Sequence, residues 1–206
     1  ANSPLILACD KGLLNVVELL IHHGVDVNIV DIYGLTPLSS AAKKGYKEIV
    51  MKLLTAGSFF IGSFEETLLM WSLKSGYNDV FRLLIEKEAD INESNTNGET
   101  PLIWSCKHNN SDILRLLIEK GADVNVSNKE KHTPLIWSCY NNNSDIIRLL
   151  IENGADVNVS NSEGETPLIW SCWNNNTDIV RLLIEKGANV NVSDKCKKYP
   201  LICHVK

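Results

Sequence analysis

Residues 133–139 read TPLIWSC, and the same seven letters stand at 100–106 and again at 166–172, an interval of 33 residues. Pro4, Pro37, Pro101, Pro134, Pro167 and Pro200 keep that spacing. In the one long interval Leu68 takes the proline's place, giving steps of 31 and then 33 residues. Self-similarity at a fixed period of this length marks a stacked repeat architecture. Each unit carries an apolar face that only a neighbouring copy can bury.

One copy, 133–165, can be taken apart residue by residue. Thr133 is placed to cap a helix, and Pro134 to stand at its first position, where a missing N–H costs nothing. A short helix through Tyr140 offers Leu135, Ser138 and Cys139 to one packed face. Asn142 falls where that helix must end, and Asn tolerates left-handed backbone better than most residues. Ser144 is expected to cap a second helix, with Asp145 at its positive end and Ile146, Leu149 and Leu150 as its apolar stripe. Gly154 supplies the positive φ that stops it. The polar run 160–165, with Gly164, then turns the chain into Thr166 and the next copy.

Composition fits a folded protein and narrows its partners. The 206 residues are 44% hydrophobic and 22% charged, with a net charge of −5, which argues against a non-specific nucleic-acid binder. No apolar run reaches the length of a membrane span, and no signal peptide opens the chain. The six cysteines form no CxxC pair, so a zinc ribbon or a thioredoxin-type site has no support. Sequons at Asn92, Asn109, Asn125, Asn142, Asn158, Asn175 and Asn191 follow the repeat and read as its by-products. Free thiols and the absent signal peptide favour the cytoplasm or nucleus as the expected compartment.

The combination T-P-L, then L-L-I, then G-A-D-V-N resembles the ankyrin repeat. It stands at 100–102, 116–118 and 121–125, again at 133–135, 149–151 and 154–158, and with Asn189 for the Asp at 166–168, 182–184 and 187–191. An earlier copy has 36–38 with Leu53 and Leu54. The resemblance covers essentially the whole chain and implies an all-α solenoid of helix-turn-helix units with hairpin-like turns. The expected units are 1–30, 31–61, 62–94, 95–127, 128–160 and 161–193, with a partial seventh at 194–206, all in one domain. The chain departs from the family pattern in Ile103, Ile136 and Ile169 for its His, and in Trp71, Trp104, Trp137 and Trp170 for its Leu. The stretch 55–67 is two residues short and phenylalanine-rich, and Glu88 replaces a helix-ending Gly, so a distorted hairpin is expected there. Because the chain opens inside a first unit and stops inside a seventh, more repeats or another domain are expected in the full protein.

Few residues invite chemistry. Cys9, Cys106, Cys139 and Cys172 share one repeat position, no histidine accompanies each, and they read as small buried hydrophobes. Cys196, in an expected exposed turn, is the better candidate for labelling. The four tryptophans read as packing residues, with a stacking groove for single-stranded nucleic acid the lesser alternative. The histidines share no spacing, Glu65 and Glu66 lie side by side in a turn, and no catalytic motif is present, so neither an enzyme nor a cofactor or metal site is expected. The Asn-rich corners at 141–143 and 174–176 read as loop chemistry. Asn125 and Asn158 match a position that asparaginyl hydroxylases modify in some ankyrin proteins; the plainer reading is an Asn that bonds local backbone to hold the turn.

The informative positions are those where otherwise alike copies differ. After W-S-C stand Lys107-His108, Tyr140-Asn141 and Trp173-Asn174. Before T-P stand Thr96, Asn97 and Glu99, then Lys129, Glu130 and His132, then Ser162, Glu163 and Glu165. The resemblance places them on the turn tips and helix-one ends that line the concave binding surface of ankyrin proteins. Lys43, Lys44 and Lys74 extend that surface with positive charge toward an acidic partner. The expected function is therefore a monomeric, non-enzymatic module that binds a partner protein, with no nucleic acid and no membrane. The alternatives are a regulatory or adaptor segment of a larger protein (a channel, kinase or ubiquitin-ligase adaptor) and a structural spacer.

Overall fold

The computed structural model describes residues 3–59 and 67–195. Among them are twelve helices and no strands. They come in pairs of a seven- or eight-residue first helix and a nine-residue second helix. The chain divides into two compact units, Ala1–Thr96 and Asn97–Lys206, described in turn.

The first unit holds α1 (Pro4–Asp10), α2 (Leu14–His22), α3 (Pro37–Lys44), α4 (Lys47–Thr55), α5 (Leu68–Lys74) and α6 (Asn78–Glu86). First helices pack on first helices, α1 on α3 and α3 on α5, and second helices follow, α2 on α4 and α4 on α6. Leu5, Leu38, Ile49, Leu53, Leu69, Met70, Phe81 and Leu84 are the large side chains buried between them. Thr36 makes a full capping box with Ser39.

The second unit holds α7 (Pro101–Lys107), α8 (Ser111–Glu119), α9 (Pro134–Tyr140), α10 (Ser144–Glu152), α11 (Pro167–Trp173) and α12 (Thr177–Glu185). Thr100, Thr133 and Thr166 cap the first helices, each hydroxyl accepting from the N–H of the isoleucine three residues on, and each proline stands in the first turn. Leu102, Ile103, Leu135, Ile136, Leu168 and Ile169 are buried where α7, α9 and α11 meet. The buried hydroxyls of Ser105, Ser138 and Ser171 donate back to the carbonyls of Pro101, Pro134 and Pro167 at 2.8, 2.9 and 2.8 Å. A small residue there keeps the first helix thin enough for its neighbour.

Two local expectations change. Ser144 is the first helical residue; the cap is Asn143, whose side chain accepts from Ile146 N–H at 3.2 Å, and Asn110 and Asn176 do the same. Asn wins because its carbonyl reaches one residue further from outside the helix than the serine hydroxyl within it. Glu88 takes the left-handed conformation of the glycine it replaces, with φ of 64°, and Ala89 N–H still reaches Leu84 O at 3.0 Å. The helix end is therefore undistorted, and the carboxylate stays exposed in the left-handed region. The remaining part of the expected hairpin distortion, with Phe60 and Phe64, lies outside the described residues.

Candidate functional site

The fourth and seventh residues of the first helices face the same side and meet across copies. In the first unit Lys43, seventh in α3, holds its ammonium 3.9 Å from the ring centre of Trp71, fourth in α5. In the second unit Lys107, seventh in α7, lies 5.3 Å over Trp137, fourth in α9. Tyr140, seventh in α9, then replaces the lysine and meets Trp170 edge to face at 4.7 Å and 77°. Within single helices Trp137 meets Tyr140 at 5.6 Å, and Trp170 meets Trp173 at 4.7 Å. His108 lies tilted on Trp104 at 4.3 Å, and His132 stacks on Trp137 at 4.7 Å.

A ladder of aromatic rings thus runs along the second unit. Each edge-to-face pair contributes about 0.5–1.5 kcal/mol beyond its buried area. The tryptophans do pack between copies, but all are half-buried, so the same rings also present surface. The Nε1 atoms of Trp137 and Trp170 are buried without an acceptor. Tyr140 is 50% exposed, the most open large apolar side chain among the described residues of the second unit.

Charge is arranged around this ladder. Glu99, whose side chain is 9% exposed, accepts from the Lys107 ammonium at 2.8 Å. His132 occupies the equivalent place in the next copy and Glu165 the one after. The Asn161 amide nitrogen lies 3.1 Å from His132 Nε2 and donates to Glu165 Oε2 at 2.7 Å. Since that nitrogen can only donate, Nε2 accepts and the imidazole proton sits on Nδ1. Nδ1 lies 3.5 Å from Glu130 Oε2 without hydrogen-bond geometry. Burial holds the His132 pKa below its ordinary value; Glu130 and Glu165 oppose that shift and Lys107 adds to it.

Other expected site residues serve the scaffold. Asn141 donates to the carbonyls of Cys106 and Lys107 at 2.8 and 3.0 Å, and Asn174 to those of Cys139 and Tyr140 at 2.8 and 3.3 Å. These are helix-end carbonyls of the preceding copy, which have no partner within their own helix. The turn tips are stitched by one backbone bond per copy, from Lys129 N–H to Asn97 O, Ser162 N–H to Glu130 O and Lys195 N–H to Glu163 O. Glu163 also lies 3.8 Å from the Lys195 ammonium. In the first unit Lys44 pairs with Asp10 at 3.6 Å, both roughly half exposed, and Lys74 is exposed at the end of α5.

The thiols are poorly placed for reaction. Cys9, Cys106 and Cys139 are buried, and burial pushes each pKa up to about 12. Hydrogen bonds from Ser138 and Ser171 lower those of Cys106 and Cys139 without offsetting this. Cys172 is half-buried. The described residues include no group of three or more His, Cys, Asp or Glu able to hold a metal ion, and no helix long and apolar enough to cross a membrane. The expectation that the Asn125 and Asn158 side chains bond local backbone is corrected, since their partners stand 29 and 31 residues away. Asn125 donates to Gly154 O at 3.0 Å and accepts from Asp156 N–H at 2.8 Å, and Asn158 repeats this with Gly187 and Asn189. Each amide therefore ties its turn to the following copy. Cys196, Glu65 and Glu66 lie outside the described residues.

Comparison with known proteins agrees with this geometry. The family model described as "Ankyrin repeats (3 copies)" matches residues 1–63, 60–128 and 121–194. The ankyrin repeat domain of Bcl-3 superposes with a TM-score of 0.80 at 24% identity, covering 100% of this chain and 95% of that one. The human ASB11 ankyrin repeat domain gives 0.73 at 25% identity, covering 99% and 92%. Among curated proteins, a probable E3 ubiquitin-protein ligase of rice, XBOS33, is 45% identical over 53 residues, which are 26% of this chain and 10% of that protein. Human ankyrin repeat and KH domain-containing protein 1 is 35% identical over 101 residues, 47% of this chain and 4% of that protein. The matches thus span a tenth or less of these two relatives. With its Thr-Pro caps, paired helices and family match over nearly its full length, the chain belongs to the ankyrin-repeat family.

Proposed function

We propose that this chain is a non-enzymatic module that recognises a partner protein through the face formed by its first-helix ends and turn tips, the concave surface of such repeats. The observation that carries the reading is the aromatic ladder Trp137–Tyr140–Trp170–Trp173, with Tyr140 half exposed at its centre. Large, amphipathic rings already held by their neighbours lose little entropy on binding, and Tyr and Trp are favoured interface anchors. Lys107, His108, Asn141 and Asn174 frame the centre, with Glu99, Glu130, His132, Glu163 and Glu165 on its turn side. In the first unit, taken by itself, Lys43, Lys44 and Lys74 stand at the first-helix ends and offer positive charge to acidic groups of a partner. The buried free thiols suit a reducing compartment, the cytoplasm or nucleus.

The test is affinity capture with the wild-type chain and with Tyr140→Ala plus Trp173→Ala. The double variant is expected to lose the specifically captured protein while keeping its helical signal. Unchanged capture would rule out this face. A second reading, an adaptor or regulatory segment of a larger protein, draws on the small share of its relatives that the chain matches. It is compatible with the same face and is decided by the full-length open reading frame.

A further inference from the structure

Of the first-helix contacts within the two units, only that between α1 and α3 lacks a tryptophan. Elsewhere the seventh residue of one first helix meets an indole at the fourth position of the next. Trp71 has the Lys43 ammonium 3.9 Å from its ring centre, Trp137 has that of Lys107 at 5.3 Å, and Trp170 meets Tyr140 at 4.7 Å. Between α1 and α3 the same two positions are Asp10 and Ser40. A serine cannot fill the volume of an indole, and a groove of about 230 Å³ is open there. Leu7, Tyr33 and Leu35 line it with apolar surface, and Asp10, Asp31 and Ser40 with polar groups. The hairpin tip beside it is apolar as well. Ile32 and Tyr33 are 76% and 70% exposed, where later copies carry Thr96-Asn97, Lys129-Glu130 and Ser162-Glu163. Exposed apolar side chains grouped in this way mark an interaction site.

We propose that this groove is a subsite for a tryptophan side chain presented by the partner protein. This rests on the recognition reading above and names the chemistry that the first unit accepts. The incoming indole takes the place that Trp71, Trp137 and Trp170 fill from within the chain. Leu7 and Leu35 offer its ring apolar surface, and the exposed Tyr33 ring can meet it edge to face. Asp31 adds direction. Its Oδ1 accepts from the N–H groups of Tyr33 and Leu35 at 2.8 and 2.9 Å, which leaves Oδ2 as the acceptor for an indole N–H. Asp10 faces the Lys44 ammonium at 3.6 Å, which offsets its charge and favours a neutral ring over a cation.

The experiment titrates the full chain, with isotope-labelled leucine methyl groups, against capped Gly-Trp-Gly, Gly-Leu-Gly and Gly-Lys-Gly peptides. The tryptophan peptide is expected to shift the Leu7 and Leu35 methyl signals. The leucine peptide should bind about fivefold more weakly, having less apolar surface to bury and no N–H for Asp31. Ser40→Trp, which supplies the indole from within, should abolish the shifts and raise the melting temperature by about 2–4 °C. Leu7→Glu, at an exposed position, should fold normally and weaken the tryptophan peptide by a factor of about five. A lysine peptide that binds as tightly as the tryptophan peptide, or unchanged shifts in Ser40→Trp, would overturn the subsite. So would a melting temperature lowered by Ser40→Trp, since the groove would then not have the shape of an indole. Capture lost in the Tyr140, Trp173 double variant with no response to the tryptophan peptide would leave the recognition reading standing and remove the subsite. Peptide shifts with capture unaffected by that pair and by Ser40→Trp would keep the groove as an indole site and overturn the recognition reading.

Discussion

The two units turn the same corner with different chemistry. Between paired helices the first unit places Gly12 and Gly45 in the left-handed region, with φ of 70° and 76°, each lying under a tyrosine of the following copy. The second unit places Asn109, Asn142 and Asn175 there, with φ of 56°, 55° and 54°. Asn143 Nδ2 donates to Asn109 Oδ1 at 2.6 Å and Asn176 Nδ2 to Asn142 Oδ1 at 2.6 Å, so neighbouring corners are joined by a side-chain ladder. The difference continues into the second helix. Tyr46 and Tyr77 precede α4 and α6 without a side-chain cap, whereas Asn143 and Asn176 also cap α10 and α12. One solution fits apolar ring to bare backbone; the other replaces that contact with hydrogen bonds and accepts left-handed Asn.

The comparison breaks most visibly at Gly45. A Cβ there would lie 2.5 Å from the Tyr77 ring, and the φ of 76° is unfavourable for any L side chain. Gly45→Ala is expected to destabilise by about 3 kcal/mol, the sum of the left-handed cost and a forced displacement of the ring. Gly154→Ala is the control, since its φ is 87° but nothing lies within 4 Å of the new methyl. It should cost only about 1 kcal/mol. Chemical denaturation of both variants checks the pair, and equal losses would mean that the tyrosine does not press on the glycine.

The asparagine corner should fail more gently. Asn176→Ala removes the cap to Ile179 N–H at 3.2 Å, the bond to Asn142 and the one to Ser144 at 3.0 Å. All are at or near the surface, where water can replace the ladder, so the expected loss is about 1–2 kcal/mol. Ser144→Ala, by contrast, should cost a few tenths of a kcal/mol, because Asn143 and not Ser144 is the cap of α10. A larger loss at Ser144 than at Asn176 would return the capping role to the serine.

These corners also show what could be read from the sequence. The period, the Thr-Pro starts and the apolar stripes are local patterns, and they point to the paired helices found among the described residues. The left-handed role of Asn142 was legible for the same reason. What Asn141 and Asn174 do was not, because their partners stand 34 and 35 residues away and only stacking brings them within reach. Their recurrence was a scaffold signal, while the substitution of Lys by Tyr and Trp beside them alters the surface. The Gly-Tyr pairs at 45–46 and 76–77, where later copies read Asn-Asn, were the available clue to the second kind of corner. The tryptophans illustrate a different limit. Periodicity tells that a position packs, and cannot tell that half of a ring remains uncovered.

The smallest effect concerns the turn that joins the ladder to its charges. His132 is held neutral by burial, its Nε2 accepting from Asn161, and its pKa lies below the ordinary value near 6.5. In the unfolded chain the imidazole takes up its proton first as the pH falls, so the unfolded state binds more protons in this window. The stability that His132 contributes is therefore complete above about pH 7.5 and declines as the pH drops through 6.5 toward the folded-state value. Glu130 and Glu165 face the ring and soften the decline, and Lys107 sharpens it. His132→Phe keeps an aromatic ring against Trp137 and cannot titrate. Melting temperatures of wild type and variant, compared at pH 7.5 and pH 5.5, should show the extra acid sensitivity only in the wild type. Parallel shifts in the two proteins would assign that sensitivity to the carboxylates and remove His132 from the electrostatics of the face.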